Sequence, residues 1–95
     1  MRTPKLTDAA VQAALLTVPA WQLQNGMISR KFVFADFVAA MRFVNAIADA
    51  AEAADHHPDI DIRYNKVTLA LTTHDSGGLT ERDFALAAQA DTLSA

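Results

Sequence analysis

Three histidines, His56, His57 and His74, are the side chains of this sequence best suited to moving protons near neutrality. An imidazole has an unperturbed pKa of about 6.5, so it donates or accepts without special tuning. Elimination of water needs both acts, and neighbouring imidazoles can divide them. Glu52 precedes His56 by four residues at the end of a predicted helix. Its carboxylate and the helix carbonyls are expected to attract a charged ring at His56, and an acid held that way can protonate a leaving hydroxyl. Three histidines plus water would also make a catalytic zinc site. Adjacent residues of an extended segment point to opposite sides, however, which sets His56 against His57 as ligands of one ion, and no metal is expected. With no cysteine in the chain, thiol nucleophiles, thiolate metal sites and disulfides are excluded.

Each of these residues also has a structural reading. A histidine near a helix C-terminus can be a cap, and Asp83, three residues after Thr80, can close a capping box. Glu52 alone is a solvated helix residue. Gly77-Gly78 breaks a strand, without the spacing or the lysine of a phosphate loop. Phe32, Phe34, Phe37 and Phe43 fall at strand or helix spacing and belong to a core. Trp21 begins an edge strand, where an indole can stack on a flat heterocycle.

The elements that must position these side chains follow from periodicity. Thr7 caps a helix from Asp8 to about Thr17, with Val11, Ala14 and Leu15 on one face, and Pro19 ends it. Ile28, Arg30, Phe32 and Phe34 then alternate after Asn25-Gly26, which suits a tight hairpin turn. From Asp36 to about Ala54 the helical period returns in Phe37, Met41, Val44, Ile47 or Ala48, and Ala51. Pro58 pushes His57 out of the helical region, so this helix stops before the histidine pair. A second hairpin follows, Ile60, Ile62 and Tyr64 leading through Asn65-Lys66 to Val67, Leu69 and Leu71, and Thr80 caps a last helix.

The predicted order is αββαββα, an α+β fold in which a four-stranded antiparallel sheet has helices packed on one face. Its other face is solvated or paired with another subunit. The start of the third strand and the end of the fourth are neighbours, so the three imidazoles are expected at one end of the sheet, with His56 and His74 at a pocket rim.

Ninety-five residues suit one domain, residues 1–95, and 52% hydrophobic residues with 20% charged suit a packed core. A net charge of −3 without a basic run argues against direct nucleic-acid binding. Asp8 and Gln12 interrupt the first apolar stretch, so no signal peptide is read, and no apolar run has the roughly 20 residues of a membrane helix. A cytoplasmic protein without membrane association is expected.

The ordered string Glu52, Asp55-His56-His57-Pro58, Tyr64-Asn65-Lys66-Val67, Thr73-His74 and Gly78-Leu79-Thr80-Glu81-Arg82-Asp83 resembles the pterin-4a-carbinolamine dehydratase family. The resemblance runs from Trp21 through the last helix, and Phe32-x-Phe34-x-x-Phe37 agrees with it more weakly. It implies four antiparallel strands with helices on one face, a homodimer or homotetramer, and no cofactor or metal. It implies a small-molecule substrate, the 4a-hydroxytetrahydropterin left by an aromatic amino acid hydroxylase, dehydrated to quinonoid dihydropterin in tetrahydrobiopterin recycling. Carried over, His56 and His74 match the general acid/base histidines and His57 the pterin-orienting one, while Glu52, Trp21, Asp83 and Thr73 match supporting or substrate-binding positions. Ile60 stands where many relatives have Trp, Asp75 replaces a frequent Glu, and Ser76-Gly77 replaces other small residues. The resemblance also allows a dimerisation partner of transcription factors, or a pterin-binding protein of molybdopterin or folate chemistry.

Overall fold

A computed structural model describes residues 3–95. Thr7 is extended and its hydroxyl accepts the Ala10 amide at 3.1 Å, satisfying one of the free donors that open α1 (Asp8–Leu15). The helix stops short of the expected Thr17. The amides of Leu16, Thr17 and Val18 bond to carbonyls three residues back, a tightened turn completed before Pro19. Asn25 and Gly26, at φ 54° and 75°, join β1 (Gln22–Gln24) to β2 (Met27–Val33) as a tight hairpin.

Asp36 caps α2 (Phe37–Ala54), its carboxylate accepting the Ala39 amide at 2.8 Å. The buried stripe of α2 is Ala40, Phe43, Ile47, Ala50 and Ala51, rotated from the expected one. Phe43 decides the rotation, because its ring packs against Phe32 at 4.7 Å and Phe34 at 5.0 Å between centroids, while Ala40 and Ala51 let the helix approach. Phe37 is left exposed, and Met41 and Val44 half-buried.

β3 (Asp59–Arg63) and β4 (Lys66–Leu71) form the second hairpin, turning on Tyr64-Asn65 rather than Asn65-Lys66. Tyr64 takes a left-handed φ of 54°, and Asn65 is tied to Phe34 by its side-chain amide at 2.8 Å and its carbonyl at 2.9 Å. The four strands pair antiparallel in the order β1-β2-β4-β3. Ile28, Phe32, Val67, Leu69 and Leu71 share the face buried against the helices. Ile60 and Ile62 lie on that face opposite Leu69 and Val67, yet stay 38% and 39% exposed. Their strand is the outer one and α2 packs over β4, so alternation here did not mean burial.

α3 (Glu81–Ser94) opens with the expected capping box of Thr80 and Asp83 and buries Phe84, Leu86, Ala87 and Ala90. Near its end Asp91 accepts from Trp21 Nε1 at 2.8 Å and from Arg30 at 2.5 Å. Among the described residues no helix is long and apolar enough to cross a membrane.

Candidate functional site

The end of α2 is made by Asp55, three residues before Pro58. Asp55 is left-handed at φ 50°, ψ 44°; its amide returns to the Glu52 carbonyl at 3.2 Å and the His56 amide to the Ala51 carbonyl at 3.1 Å. These are the paired bonds of a Schellman ending, usually built on glycine. His56 is therefore part of the helix stop, and its backbone is fixed before its ring makes any contact.

The ring then meets α3. His56 Nε2 lies 2.6 Å from Asp83 Oδ1, while Asp83 Oδ2 accepts from the Thr73 hydroxyl and the Thr80 amide, each at 2.9 Å. The Thr73 and Thr80 hydroxyls are 2.9 Å apart; because Thr73 gives its proton to Asp83, Thr80 donates in this bond. Thr80 Oγ1 also accepts the Arg82 amide at 3.2 Å. Oδ2 of Asp83 only accepts; with Oδ1 accepting too, as in a carboxylate, the hydrogen of that bond lies on His56 Nε2. Asp83 and Thr80 are fully buried, Thr73 is 6% exposed and His56 8%. Every group in this network needs its partners, since a buried polar group without one costs about 1–3 kcal/mol. Among the described residues no buried side-chain nitrogen or oxygen lacks a hydrogen bond. His56 Nδ1 has no protein partner there, so it keeps contact with solvent and is the ring atom available for chemistry.

Asp83 closes the capping box of α3 as expected, and the same carboxylate also contacts the His56 ring. Two expectations are corrected. The His56 ring is mostly buried against Asp83 rather than standing free at a pocket rim, and the side chain that Glu52 reaches is His57, whose Nε2 bonds Glu52 Oε2. His57 and Glu52 are both exposed, so solvent screens the pair and its effect is orientation more than stability.

His74 opens a short 3-10 turn (His74–Ser76) with its side chain exposed. The backbone bonds that Thr73 and Gly78 exchange, both 3.3 Å, close the loop around it, and Gly77 supplies a φ of 78°. His74 also lines a cavity of about 750 Å³ with Lys5, Asp8, Asn25, Met27 and Thr72. Neither His56 nor His57 lines it. The register accounts for the arrangement: Ile28 pairs with Leu71 on one side of β4 and Asp59 with Ala70 on the other. At the end of β4, the His56-His57 segment therefore lies on one flank and the β1–β2 turn on the other, with His74 between. Among the described residues no three His, Cys, Asp or Glu side chains converge as a metal site would require.

Trp21 is buried, 3% exposed, edge-on to Phe32 at 6.0 Å with its indole N–H on Asp91. The structure thus gives it a core contact and does not bring it to the histidines. Sequence reasoning gave no role to Arg82, although it stands in the quoted motif; its guanidinium bonds the Ala54 and Asp55 carbonyls just before the histidine pair. Nor did periodicity reveal the cavity, whose walls come from segments far apart in the chain.

Residues 4–93 match the family model described as pterin 4 alpha carbinolamine dehydratase. A relative from Acidobacterium capsulatum, named "Putative pterin-4-alpha-carbinolamine dehydratase", is 61% identical over 94% of this chain and 97% of its own length. One of the same name from Chloroflexus aurantiacus is 58% identical over 95% and 97%. Among solved structures, a transcriptional coactivator/pterin dehydratase from Brucella melitensis superposes with a TM-score of 0.92 at 34% identity, covering 96% of this chain and 99% of that one. A pterin dehydratase-like protein identified as a RuBisCO assembly factor in the alpha-carboxysome gives 0.65 at 27% identity, covering 78% and 86%.

Proposed function

This chain belongs to the pterin 4 alpha carbinolamine dehydratase family, and we propose that it eliminates water from a 4a-hydroxytetrahydropterin to give quinonoid dihydropterin. The observation that carries the reading is the buried Asp83–His56 pair, with Nε2 committed to the carboxylate and Nδ1 left open. In the forward step His56 Nδ1 gives a proton to the C4a hydroxyl, the C4a–O bond breaks, and water leaves. Asp83 stabilises the charged ring from which that proton comes. His74 removes the N5 proton, and the electron pair of the N5–H bond becomes the N5=C4a double bond. Solvent then returns the proton from His74 to His56, so no net acid or base is consumed. His57, steadied by Glu52, orients the pterin, and Thr73 supports Asp83 from within. Trp21 supports the sheet end by packing. The substrate is the pterin that an aromatic amino acid hydroxylase leaves after turnover.

The test is the rate of quinonoid dihydropterin formation from freshly generated 4a-hydroxytetrahydropterin, with and without protein, at a pH where spontaneous dehydration is slow. Acceleration at catalytic protein concentration is expected, falling at least about a hundredfold in His74→Ala, the loss typical of a missing acid/base group. His56→Gln should fall as far. His56→Ala is a poorer probe, because it also strips buried Asp83 of a partner. A folded sample that binds pterin without accelerating its dehydration would overturn the enzyme and favour the interaction roles that the names of the two solved relatives carry.

A further inference from the structure

The first turn of α3 grips the histidine segment twice. Asp83 holds the His56 ring, and the residue before it, Arg82, reaches the backbone: Nη2 donates to the Ala54 carbonyl at 2.7 Å and to the Asp55 carbonyl at 2.8 Å. The last carbonyls of a helix have no partner within it. In α2 the Schellman bonds satisfy those of Ala51 and Glu52, and Arg82 takes that of Ala54, the last residue of the helix, together with that of Asp55, which ends it. A cation suits this place, because the helix dipole leaves partial negative charge there. The site also imposes a shape: one planar group with both hydrogens of a single nitrogen spreads across two successive carbonyls, across the left-handed Asp55.

We propose that Arg82 is a positioning residue for the dehydration, fixing the turn that carries His56 and His57 without touching the pterin. The proposal rests on the dehydratase reading. His56 is restrained at three points: its amide on Ala51, its ring on Asp83, and the carbonyl preceding it on Arg82. The first holds the N–H edge of the Asp55–His56 peptide and the second the ring; the third holds the carbonyl edge of the same peptide, so the plane that carries His56 is gripped from both sides. A displacement of about 1 Å at reacting groups can cost on the order of a hundredfold in rate. Arg82 therefore acts on the rate through Nδ1 of His56 and leaves the walls of the His74 cavity, which it does not line, unchanged.

Full-length Arg82→Gln and Arg82→Lys are compared with wild type, and Arg42→Gln, an exposed α2 residue, serves as the charge-loss control. Arg82→Gln is expected to lower kcat by about ten- to hundredfold with KM within about twofold. Arg82→Lys recovers part of the loss, since an ammonium can still serve these carbonyls, and Arg42→Gln matches wild type. In histidine ring NMR, the His56 Nε2 proton exchanges faster with solvent in Arg82→Gln while the His74 signals stay in place. Wild-type kcat in Arg82→Gln overturns the proposal. So does a loss that Lys does not relieve and that shifts all three histidines together with the unfolding midpoint, which would mark a merely structural residue. If wild-type protein fails to accelerate dehydration, the dehydratase reading falls, and His56 ring exchange still decides whether Arg82 positions that ring.

Discussion

Replacing Asp83 with Asn changes almost nothing in shape and one thing in chemistry: one of two acceptors becomes a donor. The buried Thr80 amide cannot reverse its direction, so the new side-chain oxygen must take the place of Oδ2, where it accepts from Thr80 and Thr73. The new NH2 then occupies the place of Oδ1, facing His56 Nε2 across 2.6 Å. Two donors cannot share that bond. His56 must give up its Nε2 hydrogen and carry it on Nδ1, and any second proton sets N–H against NH2. The ring thereby loses the charged form with Nε2 on a carboxylate, the form from which, on the dehydratase reading, it would give a proton to the leaving hydroxyl. A hydrogen bond to a charged group is worth about 1.5–3 kcal/mol. At about 1.4 kcal/mol per tenfold in rate, Asp83→Asn should lower kcat roughly ten- to hundredfold, with KM nearly unchanged. Stopped-flow dehydration assays give the rate, and nitrogen NMR of the imidazole gives the tautomer, expected to change from Nε2–H to Nδ1–H. A kcat within about twofold of wild type, with Nε2–H retained, would refute the reasoning and reduce Asp83 to a helix cap.

The remaining predictions concern the supports of this pair. Thr73→Val keeps the volume but removes the hydroxyl bonded to both Asp83 and Thr80, and should cost about 1–3 kcal/mol in urea unfolding. Its dehydration rate should fall less than that of Asp83→Asn, because His56 keeps its carboxylate; a larger fall would show that Thr73 meets the substrate. Asp55→Gly should stabilise the chain by about 0.5–1 kcal/mol by relieving a left-handed non-glycine residue, whereas Asp55→Ala should destabilise it, and reversal of that order would contradict the assigned helix ending.

Much of this architecture was legible because local signals agreed with one another. Thr7 and Thr80 capped the helices they were expected to cap, Asn25-Gly26 turned the first hairpin, and Val67, Leu69 and Leu71 buried the face their alternation indicated. Periodicity misled where tertiary contacts decide. The stripe of α2 was rotated by the packing of Phe43 on Phe32 and Phe34, and Ile60 and Ile62 alternated correctly on a strand whose place at the sheet edge no local pattern reveals. At the site, residue types and order pointed to the histidines, but their partners lie across the fold. Glu52 was near enough in sequence to be considered for His56, and helix geometry alone could not show that it turns to His57. Asp83, Asp91 and Arg82 find His56, Trp21 and the end of α2 only through the docking of α3.

That docking has a consequence for the order in which the working protein comes into being. The bond from His56 to Asp83 spans 27 residues of chain, and the bond from Trp21 to Asp91 spans 70. Both hairpins and α2 precede α3 in the chain, so as residues leave the ribosome the sheet can pair while the His56 ring still lacks its carboxylate. Loop-closure entropy does not set this order, since β2 and β4 join residues further apart in the chain than His56 and Asp83; the order of the elements along the chain does. On the dehydratase reading, turnover would begin only once α3 seats, and its onset during refolding would time that step.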